Sequence, residues 1–237
     1  GVIGVGRGQS FMHQAALAGM QLVAICDVWK ERLEDVGQRY QIATYTDYDR
    51  FLEHDMDAVV LANYFHEHAP FAIKALQAGK HVLSECAACS TLAEGVALCR
   101  AVEQTGRIYM LAENYPYTAF NLEMARLYRA GEIGRVLYAE GEYNHPMSFE
   151  DQQRISPGLR HWRNNLPATY YCTHAMAPLM AITDTMPVRI NALAVPLPLD
   201  STRKRLTRQK DVAGVILATM DNGAVFKLLQ TGLPGHS

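Results

Sequence analysis

The chain has 237 residues, with 22 lysines and arginines against 24 aspartates and glutamates and a net charge of −2. Balanced charge argues against a nucleic-acid partner, which needs a concentrated basic face; the longest basic cluster, Arg203-Lys204-Arg205, reads as a solvated loop. No stretch approaches the roughly 18–20 apolar residues of a membrane helix and none reads as a signal peptide, so no membrane partner is expected.

In chain order, Val2–Val5 reads as a buried parallel strand. It runs into Gly4-Val5-Gly6-Arg7-Gly8 and then into a helix carrying Met12, Ala15, Ala16 and Ala18. Gly4 permits a tight turn, Gly6 has no Cβ to block an approaching diphosphate, and the helix N-terminus offers free N–H groups. The third glycine of the usual G-x-G-x-x-G spacing would fall at Gln9; here Gly8 comes one residue early. A second strand, Leu22–Cys26, closes on Asp27, twenty-three residues after Gly4. A carboxylate there holds adenosine ribose hydroxyls and repels a 2′-phosphate, which favours NAD. Lys30 and Arg32 follow and leave NADP open; a helix cap is the competing reading of Asp27.

Further strands are expected at Ala58–Ala62, His81–Leu83 and Ile108–Ala112. Between them, His68, Ala72, Ala75 and Leu76 share one helix face that ends at Gly79. Leu92, Val96, Cys99 and Val102 share another, capped by Thr91 and closed by Gly106. This alternation predicts an α/β domain over residues 1–114: a doubly wound parallel sheet with the ligand crevice at the carboxyl ends of its strands.

From about Tyr115 the texture changes. A helix is expected at Ala119–Ala130, with Phe120, Met124, Leu127 and Tyr128 on one face, and a strand at Val136–Tyr143. Residues 144–169 read as irregular, and a short helix begins near His174. Strands follow at Val188–Val195, Val212–Met220 and Ala224–Leu229, the last two joined by the hairpin signal Asp221-Asn222-Gly223. Residues 115–237 therefore read as an α+β domain with an open, largely antiparallel sheet. Both ends look trimmed, since the chain opens at Gly1 inside an apolar run and closes at Ser237 just after a strand-like segment.

Five cysteines, an odd number in a chain of this size, argue for reduced thiols and a cytoplasmic setting. Cys86-Ala87-Ala88-Cys89 lacks the second ligand pair of a zinc site, so no metal is expected. Tyr143, His145, Trp162 and Arg163 are candidate substrate-pocket residues, because sugars are held by stacking aromatics and charged donors; interdomain packing is the competing reading.

The glycine turn with Asp27 is accompanied by Asn63-Tyr64-Phe65-His66-Glu67-His68, by Ala75–Leu83 and by Ser84-Glu85-Cys86-Ala87. Glu113-Asn114-Tyr115 and Gly131-Glu132-Ile133-Gly134 follow. Together these resemble the Gfo/Idh/MocA family of NAD(P)-dependent oxidoreductases over nearly the whole chain. The resemblance implies a Rossmann domain followed by an α/β domain whose open sheet covers the nicotinamide and commonly forms a homo-oligomer. It implies hydride transfer to or from a sugar or polyol hydroxyl, and roughly a hundred further residues that complete the sheet. Carried over by position, Gly4, Gly6, Arg7, Gly8, Asp27, Asn63, His68, Glu85 and Asn114 would bind the cofactor. His174 would be the acid/base. Cys86 stands where the family has a polarising lysine, Ala87 where it has proline, and Tyr170 where an aspartate often precedes the histidine.

Tyr171-Cys172-Thr173-His174-Ala175-Met176-Ala177-Pro178 is similar to the Tyr-Pro-Thr-His-Gly-Leu-Gly-Pro run of NAD-dependent glycoside hydrolases, α-N-acetylgalactosaminidases among them. That likeness implies redox-neutral cleavage, with transient oxidation, elimination, water addition and hydride return, and proton transfer by His174 and Tyr171. Three functions stand open: oxidoreductase, glycosidase, and a non-catalytic NAD-binding regulator.

Overall fold

The computed structural model describes residues 1–146, 148–197 and 210–232; the Arg203-Lys204-Arg205 cluster lies outside them. The chain divides into two compact units, Gly1–Ala112 and Glu113–Ser237. The division falls two residues ahead of the expected boundary and places Glu113 and Asn114 in the second unit.

The first unit runs β1 (Val2–Ile3), α1 (Gly8–Ala15), β2 (Ala24–Cys26), α2 (Lys30–Tyr40), β3 (Ala43–Tyr45) and α3 (Tyr48–Leu52). It continues with β4 (Ala58–Leu61), α4 (His68–Gln77), β5 (His81–Ser84), α5 (Leu92–Thr105) and β6 (Tyr109–Leu111). Every strand pairing is parallel and the order is β3-β2-β1-β4-β5-β6. This is the doubly wound order, and its switch point lies between β1 and β4. β1 is shorter than Val2–Val5 because Gly4, at φ +93°, turns the backbone out of the ladder. β3, an edge strand with no apolar run, carried no sequence signal.

α4 buries the expected face of His68, Ala72, Ala75 and Leu76. α5 carries the expected Thr91 cap, completed as a reciprocal capping box with Glu94, and ends at Gly106 with φ +63°. Its orientation corrects the sequence reading. Leu92 and Val96 face solvent, and Leu98 and Ala101 are the buried residues. A Cβ on Gly95 would lie 3.2 Å from the Cys89 sulfur in the loop ahead of the helix.

The second unit runs α6 (Ala119–Arg129), β7 (Tyr138–Asn144), α7 (Phe149–Ile155), α8 (Cys172–Thr183), β8 (Pro187–Pro196), β9 (Asp211–Met220) and β10 (Val225–Thr231). Its four-stranded sheet has the order β7-β10-β9-β8. β8–β9 and β9–β10 are antiparallel and β7–β10 is parallel. The β9–β10 hairpin turns at Gly223 (φ +85°), with the Asn222 side chain accepting the Ala224 N–H at 2.9 Å. Ala175 and Met176 of α8 pack on Ile216, Ala218, Met220, Phe226 and Leu228 of the sheet and form the core of this unit.

Two sequence readings are corrected here. Residues 144–169 are not wholly irregular: they hold α7, capped by Ser148, whose hydroxyl accepts the Asp151 N–H at 3.0 Å. On α6, Phe120 and Met124 are exposed, and Asn121 and Ala125 are buried instead. Asn121 turns inward because its amide donates to the Tyr115 carbonyl at 2.8 Å, a contact that hydrophobic periodicity does not register.

Candidate active site

In the first unit the candidate cofactor residues gather at the carboxyl ends of the strands. Gly4 is required there: besides its positive φ, a Cβ would lie 2.2 Å from the Ala62 carbonyl oxygen. Gly8 opens α1, and a Cβ on it would meet a Val2 methyl at 2.7 Å, so it provides the close helix–strand contact expected of residue 9. A Cβ on Gly6 would meet nothing within 4 Å, which leaves an open approach to the turn.

Asp27 ties this turn down. One carboxylate oxygen accepts the Val5 N–H at 2.7 Å and the other the Trp29 N–H at 2.9 Å. Each oxygen retains a second lone pair, so a tethering role and a ribose-binding role coexist. The Arg7 guanidinium pairs with Glu85, whose other oxygen accepts the Cys86 N–H at 3.0 Å. Just beyond β4, both side-chain amide atoms of Asn63 are buried without a hydrogen-bond partner among the described residues. A buried unpaired amide costs about 1–3 kcal/mol, which a bound ligand can relieve. The open lane over Gly6, the free amide of Asn63 and the carboxylate closing β2 fit a dinucleotide.

His68 is placed differently. It is 1% exposed, and its Nδ1 lies 2.9 Å from the Ala87 carbonyl. Burial lowers its pKa; Nδ1 is spent on the turn after β5, while Nε2 is buried without a hydrogen-bond partner among the described residues. Asn114 is exposed in the second unit, at the start of a short helical turn over Tyr115–Tyr117. All five cysteines are free thiols, with Cys86 buried.

In the second unit His174 sits in the first turn of α8, and the Glu113 carboxylate lies 2.7 and 2.9 Å from its Nδ1. Glu113 is 6% exposed and also accepts the Tyr115 N–H at 3.2 Å. Burial alone would raise its pKa; the hydrogen bond and charge of His174, helped by the Tyr115 N–H, outweigh that and bring it down to about 2. A carboxylate only accepts, so Nδ1 carries the proton and Nε2 keeps the basic lone pair.

Three phenol rings surround the imidazole. Tyr115 stacks at 4.8 Å between centroids, Tyr143 meets it edge-on at 4.5 Å and Tyr171 lies at 5.6 Å. Burial raises the Tyr143 pKa, which keeps that phenol neutral. Arg163 donates to the Tyr171 oxygen at 2.5 Å and lies over the Trp162 ring at 5.1 Å.

α8 is seated by glycine. A Cβ on Gly141 of β7 would lie 2.1 Å from the Ala175 carbonyl oxygen; in the short turn Ala168–Tyr171 ahead of the helix, the Thr169 methyl lies 2.6 Å from where a Cβ on Gly214 of β9 would be. The helix therefore rests almost on strand backbone, one residue from His174.

A cavity of about 140 Å³ lies within this unit, lined by Tyr143, His145, Arg163, Tyr171 and Gln230 among others. Three of the four expected substrate residues line it, and the fourth, Trp162, stacks against Arg163. Glu113 is the residue missed from the sequence. The carboxylate expected four residues before His174 comes instead from a point sixty-one residues upstream. Its position just past the last apolar run of the parallel sheet was the available signal, since strand ends there collect functional groups.

Residues 1–113 match the family described as "Oxidoreductase family, NAD-binding Rossmann fold". The chain is 30% identical over 217 residues to a "Glycosyl hydrolase family 109 protein" of Saccharopolyspora erythraea, covering 83% of this chain and 47% of that protein. A relative named "Glycosyl hydrolase family 109 protein 1" from Bacteroides fragilis is also 30% identical, with 78% and 41% covered. The chain thus spans less than half the length of these relatives. Among solved structures, the WlbA dehydrogenase of Bordetella pertussis, in complex with NADH and UDP-GlcNAcA, superposes with a TM-score of 0.82 at 21% identity, covering 99% of this chain and 72% of that one. Myo-inositol 2-dehydrogenase of Lactobacillus plantarum gives 0.80 at 18% identity, with 100% and 70% covered. At these identities the likeness establishes the fold. The glycine turn, the strand order and the match over residues 1–113 agree: the first unit matches the oxidoreductase family with an NAD-binding Rossmann fold.

Proposed function

We propose that the protein is an NAD-dependent oxidoreductase of sugar or polyol hydroxyls. The observation that carries this reading is the Glu113–His174 pair, 2.7 Å apart and walled by tyrosines, in a chain whose first unit is an NAD-binding Rossmann domain. Bound NAD⁺ supplies a two-electron hydride acceptor. Gly4, Gly6, Arg7 and Gly8 would hold its diphosphate, Asp27 its ribose hydroxyls, and Asn63 and Glu85 its remaining polar groups; NADP stays open through Lys30 and Arg32. Glu113 fixes the His174 tautomer, and Nε2 takes the hydroxyl proton as the carbinol is oxidised. Tyr143, Tyr171 and Arg163 position the substrate. The free thiols support a reducing, cytoplasmic setting, and the exposed apolar residues of β8 support a homo-oligomer formed through the second sheet.

The relatives named glycosyl hydrolase family 109 favour a second reading on the same residues. In redox-neutral glycoside cleavage, His174 and Tyr171 would move protons and the hydride would return. Incubation with NAD⁺ and a panel of sugars and polyols separates the two. Accumulating NADH supports the oxidoreductase; release of p-nitrophenol from aryl glycosides without net NADH supports the glycosidase. Coenzyme uptake with neither reaction would leave a non-catalytic binding protein and overturn both.

A further inference from the structure

The cavity beside the His174 cluster holds two polar groups that proton transfer does not use. Arg163 lines it, and the only hydrogen bond of its guanidinium among the described residues is to the Tyr171 oxygen. Its Nε is buried without a partner, and no carboxylate pairs with it among the described residues. The described residues lining the cavity include His145 and no aspartate or glutamate. Gln230 of β10 lines the same cavity, is 5% exposed, and its side-chain carbonyl oxygen accepts no hydrogen bond among the described residues.

A half-buried guanidinium whose Nε is shielded from water without a partner carries a desolvation cost, and so does a buried carbonyl without a donor. One ligand satisfies both groups if it carries an anion for the guanidinium fork and, nearby, a hydroxyl to donate to Gln230 Oε1. A carboxylate matches the planar fork in two parallel N–H···O bonds. We infer that this cavity selects a sugar acid, a polyhydroxy compound whose carboxylate docks on Arg163 and whose hydroxyl donates to Gln230, in preference to the corresponding neutral sugar. Tyr143 and Tyr171 are shared between the cavity and the imidazole cluster, so a ligand held there lies beside the acid/base. The inference rests on the sugar-binding reading above and names its substrate class.

Calorimetry on the purified protein with saturating NAD⁺ tests it, using the pairs galacturonate/galactose and glucuronate/glucose. At least one acid is expected to bind ten-fold or more tightly than its neutral partner, with the margin shrinking as salt is added. Arg163→Gln should erase the margin, whereas Arg163→Lys, which keeps the charge, should retain part of it; circular dichroism checks that both fold. Gln230→Leu should weaken the acid while leaving the melting temperature unchanged or higher, because the unpaired carbonyl is gone. Equal binding of acid and neutral sugar, no binding of either, or a margin that survives Arg163→Gln would overturn the inference. NADH formation with neutral sugars alone would sink it while sparing the oxidoreductase. Arg163-dependent acid binding without hydride transfer would keep it and remove that function.

Discussion

A carboxylate on one imidazole nitrogen decides what the other can do. Because Glu113 stays ionised down to about pH 2, Nδ1 of His174 is held as a donor and Nε2 as a base. Glu113→Gln keeps the shape and loses that control; turnover should fall by about 10²–10⁴-fold, the usual worth of a positioned proton-transfer group, with NAD affinity within a few-fold. His174→Ala should abolish activity with equally little effect on coenzyme binding. Steady-state rates set against NAD titrations check both. Stability carries its own trace of the pair. The folded pKa of about 2 lies below the ordinary 4.5, so the contribution is complete above about pH 4.5 and disappears as pH falls toward 2. It amounts to at most about 3 kcal/mol, and Glu113→Gln should flatten that part of the stability profile in denaturant melts. His174 was legible from its motif; Glu113 was not, because its partner is distant in sequence and only the fold brings the two together.

At the scale of elements, the position of His174 depends on α8 resting against bare strand backbone. Gly141→Ala drives a methyl into the Ala175 carbonyl and should cost about 1–3 kcal/mol, as overpacking does, along with much of the activity. Gly6→Ala is the contrasting case. With open space before it, the new methyl should leave the melting temperature within a degree or two of wild type and weaken NAD binding at least ten-fold by calorimetry. The helices α4 and α5 were readable, and so were the Thr91 start and the Gly106 end of α5. Helix orientation was not. Leu92 and Val96 look like a core stripe by composition, yet Leu98 and Ala101 are the residues that turn inward. α7 was missed because its sequence is polar and its start rests on a single serine hydroxyl.

For the molecule as a whole, the class of both sheets could be read from the alternation of apolar runs and helical periods. The parallel β7–β10 pairing could not, since nothing local distinguishes it from the hairpins around it. β8 is the outlying feature: it is exposed along nearly its whole length, with Val188, Ile190 and Leu193 each more than half accessible. A long apolar edge strand invites pairing with another chain. Sedimentation velocity should show association that weakens on Ile190→Lys with Leu193→Lys; a monomer at every concentration would exclude this edge as a contact.

Asp27 joins these scales in a way that bears on engineering. The side chain read as the judge between the two nicotinamide coenzymes also pins the glycine turn, through Val5, to the segment entering α2, through Trp29. Exchanging it for a small neutral residue to admit a 2′-phosphate would remove two anchors at once. A coenzyme switch attempted at Asp27 would therefore also loosen the turn. A successful switch has to restore those two N–H partners before any gain in NADP affinity can be seen.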